Sequence, residues 1–155
     1  MITFIRKTDN GPEIFVYWLI TKKVARISSL ESTPSDLSWS RDGKKIAFTM
    51  KVNSDPPVLA DLPKKPKNAN WAGTPRITDR VYHEKDGVGY IEPGFTHVFI
   101  ISSEGSGETK LTHGDFNHYG NLSWSKDNSK IYFTTKRKTD WEYDFRNSEI
   151  ASVNI

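Results

Sequence analysis

Apolar and polar residues alternate along several short segments of the chain, as they do in half-buried β-strands. In the clearest segment Ile46, Phe48 and Met50 share one face, and Ala47 and Thr49 share the other. Turn-forming residues separate the segments. The pattern predicts strands at 2–7, 13–20 and 22–28, two within 36–52, two within 95–113, and further strands at 121–125, 130–136 and 148–154.

One stretch of this pattern occurs twice. Residues 37–49 read LSWSRDGKKIAFT and residues 122–134 read LSWSKDNSKIYFT, with nine of thirteen positions identical. Each copy has the pattern of a β-hairpin, in which Gly43 or Asn128 supplies the positive φ angle that a tight turn needs. Trp39 and Trp124 then occupy equivalent packing positions in a duplicated unit.

The spacing of the two copies indicates the architecture. They are offset by 85 residues, and a segment rich in proline and charge at 53–93 reads as an insertion; without its 41 residues the offset is 44, the length of one propeller blade. We therefore predict an all-β, partial β-propeller of four-stranded antiparallel blades in a single domain, with a full blade at 36–113 between partial blades at 1–35 and 114–155. An open β-sandwich is the rival, but it needs no repeat of blade length.

The number of predicted strands indicates whether this chain can form a closed propeller by itself. A propeller closes its exposed edges with typically 4–8 blades, and this chain has too few strands to do so. We expect either a piece of a longer protein or a chain that covers its open sheet edges by pairing with another copy.

Composition removes several function classes. The 22 basic residues exceed the 19 acidic ones by only three, so we do not expect nucleic-acid binding. The absence of cysteine excludes disulfides, thiolate chemistry and cysteine-ligated zinc. No apolar run approaches the roughly 20 residues of a membrane helix, so we expect no membrane span.

A resemblance to a known family extends over most of the chain. The duplicated motif resembles the WD-like repeat of TolB-type propellers. Further matching segments are 70–72 (Asn-Trp-Ala), 77–82 (Ile-Thr-Asp-Arg-Val-Tyr), 86–90 (Asp-Gly-Val-Gly-Tyr), 97–99 (His-Val-Phe) and 111–115 (Leu-Thr-His-Gly-Asp). Their succession resembles the propeller of bacterial dipeptidyl-peptidases and acylaminoacyl-peptidases in the prolyl oligopeptidase family, most strongly over 66–137.

The resemblance implies a division of labour. In that family the propeller precedes an α/β-hydrolase domain with a Ser-Asp-His triad, caps the active site and limits which peptides enter. The implied partners are such a C-terminal domain and peptide substrates, with no cofactor, in a bacterial periplasm or cytoplasm; family resemblance alone favours the periplasm. Gly105-Ser106-Gly107 lacks the G-x-S-x-G spacing of a nucleophile elbow, so we expect no catalytic residue here. The alternative is a stand-alone TolB-like propeller that acts as a protein-binding scaffold.

The insertion holds the candidate binding residues, because loops on a rigid scaffold carry recognition. They are Arg80, His83, Asp86 and Glu92. A carboxylate would bind a peptide ammonium, and a guanidinium would bind a peptide carboxylate. The structural alternative is that Arg80 and Asp86 pair with each other or with the scaffold. Gly87 and Gly89 are expected in a turn.

Two further clusters have structural interpretations. His113, Asp115 and His118 lie within six residues and include metal-ligand types, but we expect a hydrogen-bonded loop there and no metal site. The aromatic residues of 141–145 (Trp-Glu-Tyr-Asp-Phe) could edge a substrate channel or pack on a neighbouring blade, and we expect packing.

Overall fold

The computed structural model describes residues 1–61, 63–73, 75–144 and 146–155. In these ranges the chain forms twelve strands and no helix. The strands are β1 (Ile2–Thr8), β2 (Gly11–Trp18), β3 (Lys23–Arg26), β4 (Pro34–Trp39), β5 (Lys45–Asn53), β6 (Glu84–Lys85), β7 (Gly89–Tyr90), β8 (Gly94–Ser102), β9 (Glu108–Lys110), β10 (His118–Trp124), β11 (Lys130–Thr135) and β12 (Glu149–Asn154). Within the described ranges there is accordingly no helix of the length and apolarity that crossing a membrane requires.

The strands form three antiparallel blade-like sheets and one small hairpin. The first sheet has the order β1-β2-β3, the second β4-β5-β8-β9 and the third β10-β11-β12, while β6 pairs only with β7. The predicted all-β, partial propeller with one four-stranded blade between two incomplete ones is confirmed. The hairpin β6-β7 was not predicted, because strands of two residues are too short to show alternation.

The central sheet is buried on both faces. The alternation along β5 turns Ile46 and Phe48 towards the first sheet and Ala47 towards the third. Phe48 stacks on Phe99 of β8 with ring centroids 5.5 Å apart. The core between the first and second sheets consists of Ile14, Val16, Ile27, Leu30, Ile46, Phe48, Met50, Phe99 and Ile101. The core between the second and third sheets consists of Ala47, Val98, Leu122, Trp124, Ile131 and Phe133.

The two hairpin turns of the repeat have the same construction. Asp42 accepts hydrogen bonds from the Ser40 hydroxyl at 2.6 Å and the Lys44 amide at 3.1 Å. In the second copy Asp127 accepts from the Ser125 hydroxyl at 2.6 Å and the Ser129 amide at 3.1 Å. The φ angles are +70° at Gly43 and +61° at Asn128, as the turn chemistry predicted.

Strands β5 and β8 fix the place where the insertion leaves the sheet and returns to it. They pair over nine positions, from Lys45 opposite Ser102 to Asn53 opposite Gly94. The intervening segment therefore begins and ends at the same end of the two inner strands of the central sheet. That end of the sheet lies beside the start of β10, where His118 pairs with Thr135 of β11.

The repeat supplies a matched pair of substitutions. The buried Trp124 donates from Nε1 to the Ser38 carbonyl oxygen at 3.1 Å, which links the third sheet to the second. Trp39 is half-buried, and its indole makes no hydrogen bond to a described residue. We expect Trp124→Phe to lower the free energy of unfolding by about 1 kcal/mol more than Trp39→Phe, because only the former removes a buried hydrogen bond. Urea unfolding followed by circular dichroism measures both, and equal losses would contradict this.

Candidate functional site

A cleft of about 640 Å³ lies where the insertion folds back over the edges of the second and third sheets. One wall comes from the insertion, residues 77–93, and the other from residues at the strand edges and after β11. The latter are Lys51, Gly94, Thr96, Asn117, Tyr119, Lys136, Trp141 and Glu142. This cleft is large enough for a few residues of a peptide or for a small ligand.

Backbone hydrogen bonds shape the insertion wall. The Ile91 amide donates to the His83 carbonyl oxygen at 2.8 Å, and the Val88 amide to that of Lys85 at 3.0 Å. Between them Gly87 and Gly89 have φ angles of +73° and +83°, so they serve the expected turn. The wall is joined to the third sheet by Glu142, whose Oε2 accepts from the Val81 amide at 3.0 Å.

Two arginines of the insertion lie on aromatic rings. The guanidinium carbon of Arg80 is 4.5 Å from the ring centroid of Phe95, and that of Arg76 is 4.0 Å from the ring centroid of Tyr90. Among the described residues no carboxylate lies within salt-bridge distance of Arg80. Arg80 therefore contacts the scaffold through Phe95 rather than through Asp86.

Lys51 brings a second cation to the cleft from strand β5. Its ammonium group donates to the backbone carbonyl oxygen of Glu92. Partial burial lowers the pKa of Lys51, the positive charge of Arg80 lowers it further, and the carboxylate of Glu92 opposes the shift. Lys51 and Arg80 therefore both bring positive charge to the cleft.

His83 is oriented by the backbone of the insertion. Its Nδ1 lies 3.2 Å from the Arg80 carbonyl oxygen and 3.1 Å from that of Val81. Carbonyl oxygens only accept, so in the neutral ring Nδ1 carries the proton and Nε2 is the acceptor. The exposed imidazole can accept a hydrogen bond from a ligand N–H group.

The floor of the cleft is a hydrogen-bonded network at the junction of the second and third sheets. The Thr96 amide donates to Asn117 Oδ1 at 2.9 Å, and the Thr96 carbonyl oxygen accepts from His118 Nδ1 at 3.0 Å. The Thr135 hydroxyl donates to the Asn117 carbonyl oxygen at 3.1 Å. These bonds hold the edges of β8 and β10 together beneath the cleft.

Two buried histidines stand behind this floor. The rings of His97 and His118 have centroids 5.5 Å apart, and His118 also contacts Phe133 edge-on at 5.0 Å. His118 Nε2 is buried and has no hydrogen-bond partner among the described residues. Burial lowers the pKa of His97 to about 4, with a further contribution from His118. Burial also lowers the pKa of His118.

Three of the four predicted site residues meet in the cleft. Arg80, His83 and Glu92 line it, whereas Asp86 lies apart at the tip of the β6-β7 hairpin, beside a shallow depression formed by residues 84–89. Sequence reasoning missed Lys51, Asn117, Tyr119 and Glu142. Lys51 follows the alternating pattern of its strand, and no motif marks the other three.

The remaining candidates fall in different surroundings. Trp141, for which we expected packing on a neighbouring blade, is half-buried in the cleft wall. Tyr143 is exposed, and Phe145 lies outside the described residues. His113 and Asp115 are exposed while His118 is buried. In the described ranges no group of three or more His, Cys, Asp or Glu residues is arranged to hold a metal ion.

Comparison with known proteins shows a similarity of fold and no similarity of sequence to a known family. No protein-family model matches the chain, and no curated protein does. Among solved structures the chain is similar to part of a peptidase. That protein is the uncomplexed acylaminoacyl peptidase of Pyrococcus horikoshii, with a TM-score of 0.60 and 13% sequence identity. The match covers 99% of this chain and 22% of that one, so the chain spans about a fifth of its length and shares its fold there.

Proposed function

We propose that this chain is a non-catalytic β-propeller segment that gates and selects peptide substrates for a serine-peptidase domain of the α/β-hydrolase type. The observation that carries the proposal is the cleft at the shared edge of the second and third sheets. It combines aromatic walls with charges of both signs, which are the groups that bind peptide side chains and termini.

Two features support a selecting role rather than a catalytic one. One wall of the cleft includes Lys51, Gly94, Thr96 and Tyr119, which stand on strands β5, β8 and β10 of a sheet stack with buried faces, a rigid base of the kind that recognition requires. The shared fold with part of an acylaminoacyl peptidase makes a peptide the ligand of first choice. Bond cleavage is assigned to the hydrolase domain of the complete protein.

Labelling with a fluorophosphonate tests the proposal, because this reagent modifies activated serine nucleophiles. We expect the product of the complete gene to be labelled and this chain alone to remain unlabelled. Absence of labelling in a folded complete protein would contradict the proposal, and so would labelling of this chain alone.

Selection is tested separately from catalysis by Trp141→Ala. In the labelled complete protein we expect kcat/KM for the better peptides of a fluorogenic library to fall at least about fivefold, because an aromatic wall of the cleft is removed. Fluorophosphonate labelling should keep its wild-type rate. The control is Tyr143→Ala, two residues away and 76% exposed, which should leave both quantities unchanged. A library profile that Trp141→Ala does not alter would contradict selection at this cleft.

One observation favours the alternative of a protein-binding scaffold. The pairing in the first sheet places Ile2, Phe4, Phe15, Tyr17 and Val24 on its outer face, away from the core. Ile2 is 50% and Val24 51% exposed. Such a face suits a protein partner or a second copy of the chain.

The scaffold function predicts no fluorophosphonate labelling and one stoichiometric partner in a pull-down. Self-association through open edges predicts dimers in light scattering, and a strictly monomeric folded chain would argue against it.

A further inference from the structure

Two cations of the cleft, Lys51 and Arg80, make their described contacts with groups other than carboxylates. Lys51 donates to a backbone carbonyl oxygen, Arg80 lies on Phe95, and among the described residues neither has a carboxylate within salt-bridge distance. Partial burial disfavours both charges, and the positive charge of Arg80 lowers the pKa of Lys51, although the carboxylate of Glu92 opposes that shift. A bound anion would relieve both effects.

The acidic residues of the cleft leave room for such an anion. Glu142 already accepts the Val81 amide. Asp79 and Glu92 have exposed side chains at the margin, although Glu92 is close enough to oppose the pKa shift of Lys51. A ligand carboxylate bound between Lys51 and Arg80 would supply a negative charge that no described carboxylate supplies within salt-bridge distance of either cation.

Arg80 is prepared for a carboxylate by its contact with Phe95. A guanidinium that lies over a ring is restrained by that contact and keeps N–H groups for other partners. Such a guanidinium can donate two parallel hydrogen bonds to a carboxylate. Lys51 adds a point charge from the opposite wall.

Aromatic rings flank this pair of cations. Tyr90, Tyr119 and Trp141 line the cleft, and burial raises the pKa of Tyr119, so its phenol stays neutral and adds no negative charge. These rings offer a surface for a large apolar or aromatic side chain next to the carboxylate.

Resting on the proposed function, we propose that the cleft selects peptides that carry a carboxylate directly beside an aromatic or large apolar side chain. Arg80 and Lys51 hold the carboxylate, and the rings of Tyr90 and Trp141 pack on the neighbouring side chain. The carboxylate can belong to an acidic side chain or to the C-terminus of the peptide, since both present the same group.

Isothermal titration calorimetry on the 155-residue chain tests this with four unlabelled probes. They are acetyl-Gly-Phe-Glu-Gly-amide, its Gln counterpart as an amide, acetyl-Gly-Gln-Gly-Phe with a free C-terminus, and acetyl-Gly-Ala-Glu-Gly-amide. We expect the Glu probe, the free-acid probe or both to bind at least about tenfold more tightly than the Gln amide. Which of the two binds tightly identifies the source of the carboxylate. Replacing Phe by Ala should weaken binding of the Glu probe.

Matched variants locate the effect. Arg80→Gln and Lys51→Met should each remove the preference for the carboxylate, whereas Arg76→Gln, which lies on Tyr90 outside the cleft lining, should keep it. Circular dichroism verifies that each variant is folded, and Arg80→Met serves if Arg80→Gln is not. Equal affinity for all four probes would overturn the inference and leave the proposed peptide cleft standing. Failure of the wild-type chain to bind any of them would count against the proposed function itself.

Discussion

Gly94→Ala is expected to lower the free energy of unfolding by about 3 kcal/mol or more. Gly94 has a φ angle of +134°, and a Cβ there would lie 2.3 Å from the Val52 carbonyl oxygen and 2.8 Å from the Asn53 Cα. Both neighbours are backbone atoms of the paired strand β5, so neither can turn aside. Unfavourable φ and steric overlap each cost roughly 1–3 kcal/mol, and here they add.

Gly107→Ala is the control for this substitution. Gly107 also has a positive φ, +80°, but a Cβ there would meet nothing within 4 Å. It should cost only about 1 kcal/mol, the conformational part alone. Urea unfolding with similar m-values measures both variants. Equal losses would contradict a tight approach of β5 to β8 at Gly94.

Acidification is expected to destabilise the chain between pH 6.5 and about 4 through the buried histidine pair. The pKa of His97 is lowered to about 4 from an ordinary value of 6.5. Above pH 6.5 both the folded and the unfolded chain hold a neutral ring. As the pH falls, the unfolded chain takes up protons that the folded one refuses, so stability present above pH 6.5 is lost. His97 alone accounts for a loss of about 3 kcal/mol, and His118, whose pKa is also lowered by burial, adds to it.

Charged residues near the two histidines also shift their pKa values. Lys110 and His113 lower the pKa of His97 and Asp115 raises it, while Arg137 lowers the pKa of His118. Asp127, whose pKa is lowered from 3.8 to about 2 by hydrogen bonds from Ser125 and Ser129, loses its contribution only below pH 3.8. The loss from pH 6.5 to 4 therefore reports on the histidines.

His97→Gln separates the pair from the background. The slope of the unfolding free energy against pH gives the difference in bound protons, so the variant should show a slope smaller by up to one proton. The exposed His113→Gln is the control and should keep most of the wild-type slope. An unchanged slope in His97→Gln would contradict a buried, neutral His97.

Because His118 bonds to Thr96 in the floor of the cleft, weaker peptide binding at acidic pH should accompany the loss of stability.

Local pattern was enough to predict the sheets. The repeated hairpin identified β4-β5 and β10-β11, because the turn residues and the alternating faces act within a few residues of each other. The insertion was placed at 53–93 by its proline and charge content and by the length of a blade; in the structure β5 ends at Asn53 and β8 begins at Gly94. The start of β10 was predicted at residue 121, but the strand begins at His118 and has a bulge between Tyr119 and Ser123.

The cleft could be predicted only in part, because it is made by contacts between distant segments. Arg80, His83 and Glu92 were identified within one charged loop, but their relation to Lys51 depends on how the loop folds back over the sheet edge. Glu142 reaches Val81 across 61 residues, and nothing in the local sequence of either residue marks that bond. Trp141 was interpreted as a packing residue because an exposed aromatic has the same local pattern in either role.

Photo-crosslinking of a peptide to the chain tests the central claim, that the cleft is the peptide-binding surface. The probe is a short peptide with an acidic residue beside benzoylphenylalanine, and mass spectrometry maps the modified residues after proteolysis. We expect crosslinks within residues 77–96 and 117–142, reduced by an excess of unmodified peptide and by Arg80→Gln. Crosslinks confined to the outer face of the first sheet, within residues 2–26, would contradict it.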